Sequence, residues 1–172
     1  MNLPSRRRAR LKNYDYSSPG AYFITVCTHK RKALLSHIVG EIQESPENIL
    51  TDYGLIVKSI VESIPERFGV SIPKYVIMPN HIHMLVVIPS GKRAVREPPL
   101  RSERSVTDKL VGFIKMNASK KIHLTGGEKI IWQRSYHDHI IRNENDYKNI
   151  WLYIDSNVRL WEKDCFYKKE SQ

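Results

Sequence analysis

Cysteine is nearly absent: Cys27 and Cys165 are the only two in the chain, far apart and outside any C-x-x-C spacing. Neither a disulfide framework nor a zinc ribbon follows from them, and a reduced, cytoplasmic protein is expected. Long apolar runs are missing too. Stretches such as Met84 to Pro89 fall far below the roughly 20 residues that cross a bilayer. No apolar segment stands behind Met1 to Arg8, so neither a secretory leader nor a membrane partner is expected. Self-similarity at periods of tens of residues, the mark of solenoids, is not visible. Acidic residues are in short supply: 18 Asp plus Glu face 28 Lys plus Arg, for a formal net charge of +10 and a pI near 9.6.

What is present is core material. Hydrophobic residues make up 41% of 172 and the mean hydropathy is −0.45, enough for one compact domain and too much for a disordered chain. The positive charge therefore sits on a folded body. It predicts a polyanionic partner, nucleic acid before acidic membrane. Residues 1–20 read as a basic arm with Arg6, Arg7, Arg8 and Arg10, residues 21–165 as a single domain and 166–172 as a tail.

Along the chain, Tyr22 to Thr28 is rich in β-branched and aromatic residues and predicts a strand, ended by the basic cluster His29-Lys30-Arg31-Lys32. From Asp52 to Arg67, Ile56, Ile60, Val61 and Ile64 recur at helical spacing before Gly69. Two β-type runs, Tyr75 to Met78 and His81 to Ile88, meet at Pro79-Asn80. Ser90 to Arg104 is a loop bearing Lys92 and Arg93. Ser105 or Thr107 caps a helix running towards Ile122, a strand is expected over roughly Ile130 to Ile141, and a last helix opens near Asn143 and carries Ile150, Ile154, Val158 and Trp161. This βαββαβ order predicts an α+β, ferredoxin-like sandwich: an antiparallel sheet, helices, and one extra C-terminal helix. Many functions use that fold, so function has to come from a site.

His81-Ile82-His83 is the most informative triplet. Alternate side chains of a strand share a face, so the two imidazoles project together while Ile82, Met84, Val86 and Ile88 point the other way. That is half of a site for a divalent ion, and oxygen ligands would suit it to Mg or Mn. A second pair, His137 and His139, encloses Asp138; facing both histidines to an open site would drive that carboxylate toward the core, which disfavours the pair. On the last helix, Asp146, Asn149, Tyr153, Ser156 and Asn157 form a polar stripe. Its place on that stripe gives Tyr153 an exposed, usable hydroxyl, and Asn157, one turn on, is a candidate third metal ligand. Tyr136 and Tyr147 are competing hydroxyls without an Asn one turn beyond.

Several ordered segments resemble the HUH single-tyrosine transposases, including the REP-associated tyrosine transposases. Leu11 to Phe23 is similar to the opening segment of one branch, Met78-Pro79-Asn80-His81-Ile82-His83 to the central motif, and Trp132-Gln133-Arg134-Ser135-Tyr136 with Asp138 to Arg142 to the fourth-strand segment. Tyr153-Ile154, Asn157 and Trp161 resemble the catalytic helix, although Val158 stands where the family often has proline. The resemblance implies a metal-dependent DNA transposase acting on single-stranded or hairpin DNA. Tyr153 would be its nucleophile, His81, His83 and Asn157 would hold Mg or Mn, and a 5′-phosphotyrosine intermediate would form. Arg6, Arg7, Arg8, Arg10, Lys30, Arg31, Lys92, Arg93, Arg134 and Arg142 are the expected DNA contacts. The implied setting is bacterial cytoplasm, in association with the nucleoid, as a monomer or homodimer. Competing readings are a non-catalytic nucleic-acid-binding module on the same fold, an HUH replication initiator or relaxase, and a domesticated nuclease that no longer moves.

Overall fold

The computed structural model describes residues 14–40, 46–90 and 104–167. Arg6, Arg7, Arg8, Arg10, Lys92 and Arg93 lie outside the described residues.

Four strands form the main sheet: β1 (Gly20–Cys27), β4 (Ser71–Met78), β5 (His81–Ile88) and β6 (His137–Ile141), in the order β4-β5-β1-β6 with every neighbour antiparallel. A smaller hairpin pairs β2 (Ser36–Val39) with β3 (Glu47–Leu50). The predicted ferredoxin-like arrangement is therefore observed, with β1 and β5 central. Pro73 is tolerated in β4 because that strand is an edge and its pairing shifts register between Ser71 and Lys74.

Helices α1 (Asp52–Phe68) and α2 (Val106–Leu124) cover one face of the sheet. Thr51 caps α1, its hydroxyl accepting from the Gly54 N–H at 3.1 Å, and Gly69 ends it in the left-handed conformation at φ 64°. Ile60, Val61 and Ile64 of α1 and Leu110, Ile114 and Ala118 of α2 share one core with Tyr22, Ile24, Ile82, Met84 and Val86 of the sheet. Tyr16 is buried in that same core, so the folded body includes residues just before β1. Helix α3 (Glu144–Ser156) lies on the opposite face, where Ile150 and Ile154 pack on Leu85 and Lys74 pairs with Asp155.

Three expectations need correction. The β2–β3 hairpin was not foreseen, because two four-residue strands leave too little alternation to detect. The fourth strand is five residues long; upstream of it the Lys115 ammonium donates to the carbonyls of Gln133 and Ser135, at 2.7 and 3.0 Å, and supplies partners a neighbouring strand would have given. Finally, α3 stops at Ser156. The Asn157 N–H turns back to the Ile154 carbonyl, and a short 3-10 turn over Trp161–Lys163 carries Trp161 off the apolar stripe of the helix.

Candidate active site

Strand alternation sends Ile82, Met84 and Val86 into the core and turns His81 and His83 to the α3 face, where both are under 2% exposed. Each ring is held through Nδ1. His81 Nδ1 lies 2.9 Å from Asn80 Oδ1, and His83 Nδ1 lies 2.8 Å from the hydroxyl of Thr25, its cross-strand partner. Asn80 is itself braced, its side-chain amide donating to the Phe166 carbonyl at 2.9 Å while its own carbonyl accepts from the Thr28 N–H. Burial lowers His81 to about 4, despite the opposing charge of Asp164. Burial, and then the charge of His81, hold His83 well below the usual histidine value. Both rings are neutral at pH 7, the state in which imidazole ligates metals.

Helix α3 brings Tyr153 over this pair, its hydroxyl 3.3 Å from His83 Nε2. The same hydroxyl donates to Asp164 Oδ2 at 2.9 Å. Asn157, buried just past the end of α3, donates its side-chain amide to that same carboxylate oxygen at 2.8 Å. Burial and the Asp164 carboxylate raise the Tyr153 pKa above its ordinary value. Phe23, Phe166 and Trp161 wall the site, their ring centroids 4.9 Å from His83, 4.6 Å from His81 and 5.9 Å from His81 respectively.

The structure thus brings together Tyr153, His81, His83 and Asn157, and adds Asp164, which sequence reasoning missed. Asp164 follows a short turn in a stretch of mixed charge, Glu162 to Lys169, and no periodicity marks it. Ligand atoms of His81, His83 and Asp164 all lie within 4.8 Å of one another. His81 Nε2 and Asn157 Oδ1 are buried without a hydrogen-bond partner, as expected of groups that meet a cation. Two neutral imidazoles, a carboxylate and an amide oxygen form a donor set that suits a divalent metal ion.

The other candidates lie elsewhere. Tyr136 donates to Asp108 at 2.8 Å, and Tyr147 stacks with Trp151 at 6.2 Å. His137 and His139 do face the α3 side, opposite Thr25 and Phe23, with Asp138 opposite Ile24. The burial argument against that orientation fails because β6 is an edge strand and Asp138 is only partly buried. His139 pairs with Asp146 at 2.8 Å. Lys30 and Arg31 sit in a turn just after β1, whereas Arg134 and Arg142 are exposed at opposite ends of β6.

A ferredoxin-like sheet with two buried histidines facing a helix-borne tyrosine is the arrangement expected of a single-tyrosine transposase. The chain matches the family model "Transposase IS200 like" over residues 16–157 and belongs to that family. It is 35% identical over 173 residues to an uncharacterized protein of Haemophilus influenzae, covering 94% of this chain and 93% of that one. It is 26% identical over 153 residues to a protein of the same organism provisionally named a REP-associated tyrosine transposase, covering 86% and 76%. A solved REP-associated tyrosine transposase bound to a REP hairpin shares the fold, with a TM-score of 0.57 and 22% identity over 86% of this chain and 71% of that chain. Among the described residues no helix is long and apolar enough to cross a membrane.

Proposed function

We propose that the protein cuts and rejoins single-stranded DNA beside hairpins through a covalent tyrosine intermediate. The observation that carries this reading is the Tyr153 hydroxyl, hydrogen-bonded to Asp164 and 3.3 Å from His83 in one site. Tyr153 Oη attacks the scissile phosphorus, the bond to the 3′-oxygen breaks, and a 5′-phosphotyrosine and a free 3′-hydroxyl result. Asp164 Oδ2 already accepts the hydroxyl hydrogen and is placed to take that proton, and the departing 3′-oxygen takes one from solvent water. Reversal by the same or another 3′-hydroxyl joins strands without ATP.

His81, His83, Asn157 and Asp164 would hold Mg or Mn. When bound, such an ion supplies Lewis-acid polarisation of the phosphate and charge neutralisation. The Asn157 amide, tied to Asp164 through Nδ2, leaves Oδ1 as its ligating atom. Hairpin DNA as substrate is supported by family membership and by the hairpin bound to the structural neighbour.

The test incubates the protein with end-labelled hairpin DNA from the flanks of its own gene plus Mn or Mg, followed by a denaturing gel. A covalent adduct that disappears in Tyr153→Phe is expected. No adduct with any flanking hairpin, or an adduct that survives the substitution, overturns the reading.

A further inference from the structure

Beside the histidines lies an open cleft of about 740 Å³, bounded by the turn after β1, the β2–β3 hairpin and the segment after α3. Among the described residues, Lys30, Arg31, Lys32 and Arg159 line it with one acid, Glu162. Trp161 and Tyr167 form part of its wall, edge to face at 5.4 Å. The cleft reaches the active site at two points. Trp161 stands 5.9 Å from the His81 ring, and Asn80, which lines the cleft, holds His81 Nδ1.

Its rim is built at a conformational cost. Lys30 and Arg31 take φ of 53° and 56°, the only described non-glycine residues in the left-handed region. Strain of this kind persists where the surroundings require it and gathers at binding sites. Arg31 and Lys32 have partners within the chain, the Cys165 carbonyl at 2.9 Å and Glu128 at 2.9 Å. Exposed Arg159 adds its charge at the Trp161 end.

Cations beside aromatic side chains in a cleft of this size are chemistry for an unpaired nucleotide. The cations meet phosphate, and the rings meet a base face that duplex stacking would hide. We propose that this cleft seats an unpaired nucleotide adjoining the scissile phosphate, its base against Trp161 and Tyr167 and its backbone against Lys30 and Arg159. The inference rests on the His81, His83 and Tyr153 cluster being the DNA-cleaving centre.

Fluorescence anisotropy on the full chain tests it, using labelled (dT)12 and an abasic oligomer of equal length. Trp161→Ala is expected to weaken (dT)12 binding about tenfold and to leave abasic binding unchanged; Trp161→Phe restores most of the loss. Arg159→Ala is expected to weaken both oligomers and to reduce the log–log salt slope by about 0.7. Wild-type affinity in both alanine variants, equal losses on the two oligomers for Trp161→Ala, or displacement of (dT)12 by blunt duplex as readily as by itself would each overturn the proposal. Adduct formation on the same proteins separates the two readings. Adducts with binding indifferent to Trp161 and Arg159 sink the cleft alone. Trp161-dependent binding without any Tyr153 adduct sinks the nuclease reading and leaves the ligand class of the cleft standing.

Discussion

Burial is what makes His81 and His83 usable, since removal from water keeps both rings neutral and their lone pairs available. The same burial raises the Tyr153 pKa, so the hydroxyl needs help to lose its proton, and Asp164 is the acceptor in contact with it. Asp164→Asn preserves shape and removes the carboxylate that can take the proton. It is expected to slow adduct formation by about 100-fold, measured under single turnover with Mn saturating; an unchanged rate would remove Asp164 from the chemistry. A second residue-scale prediction concerns Cys27, whose burial pushes the thiol up to about 11 from 9.0. A group raised in the folded state stabilises fully below its unfolded value, and that stability is lost as pH climbs through the folded value. From pH 9 to 10, unfolding free energy should drop by about 1 kcal/mol through this thiol. Denaturant melts of the wild type and Cys27→Ala check this, because the alanine variant should lose that part of the slope.

At the scale of elements, the position of α1 depends on a close approach. A Cβ built on Gly54 would stand 2.0 Å from the Leu35 carbonyl oxygen, a backbone atom that cannot rotate away. Leu35 precedes β2, and its N–H and that of Leu34 both donate to the Pro79 carbonyl at 2.9 Å, directly beside Asn80 and His81. Gly54→Ala is therefore expected to cost about 2 kcal/mol of stability through overpacking, read as a shift in denaturation midpoint. Unchanged stability would mean that the helix start moves without consequence. The helices α1 and α2 and the strand β5 were legible in the sequence because each carries its period, 3.6 or 2, over many residues. The end of α3 was not. Val158 and Trp161 continue the helical spacing, yet the chain tightens after Ser156, and Trp161 packs near His81.

For the whole molecule, the site joins β5, α3 and the C-terminal turn, so a cation bound there ties together segments that separate on unfolding. Mn at roughly one hundred times its Kd should raise Tm by about 5 °C or more, and His81→Ala should remove that shift. A chelator that abolishes neither adduct formation nor the Tm shift would exclude the metal assignment. The net charge of +10 acts at this scale as well. It favours encounter with DNA in general, whereas under the proposal above the discrimination of single strands would fall to Trp161 and Tyr167 of the cleft.

Local pattern by itself determined the order along the chain of the main-sheet strands and the helices, the shared face of His81 and His83, and the polar stripe with Tyr153, because each depends on spacing within single elements. Tertiary structure alone decided that Asp164 meets Tyr153 and Asn157, that Trp161 leaves its helix for the cleft wall, and that Lys30 and Arg31 line that same cleft. Some of these arrangements rest on contacts between segments far apart in the chain, such as Arg31 with Cys165 or Asn80 with Phe166, and others on the turn that carries Asp164 back to α3. No periodicity encodes them; they follow from how α3 and the turn beyond it pack across the outer face of the sheet.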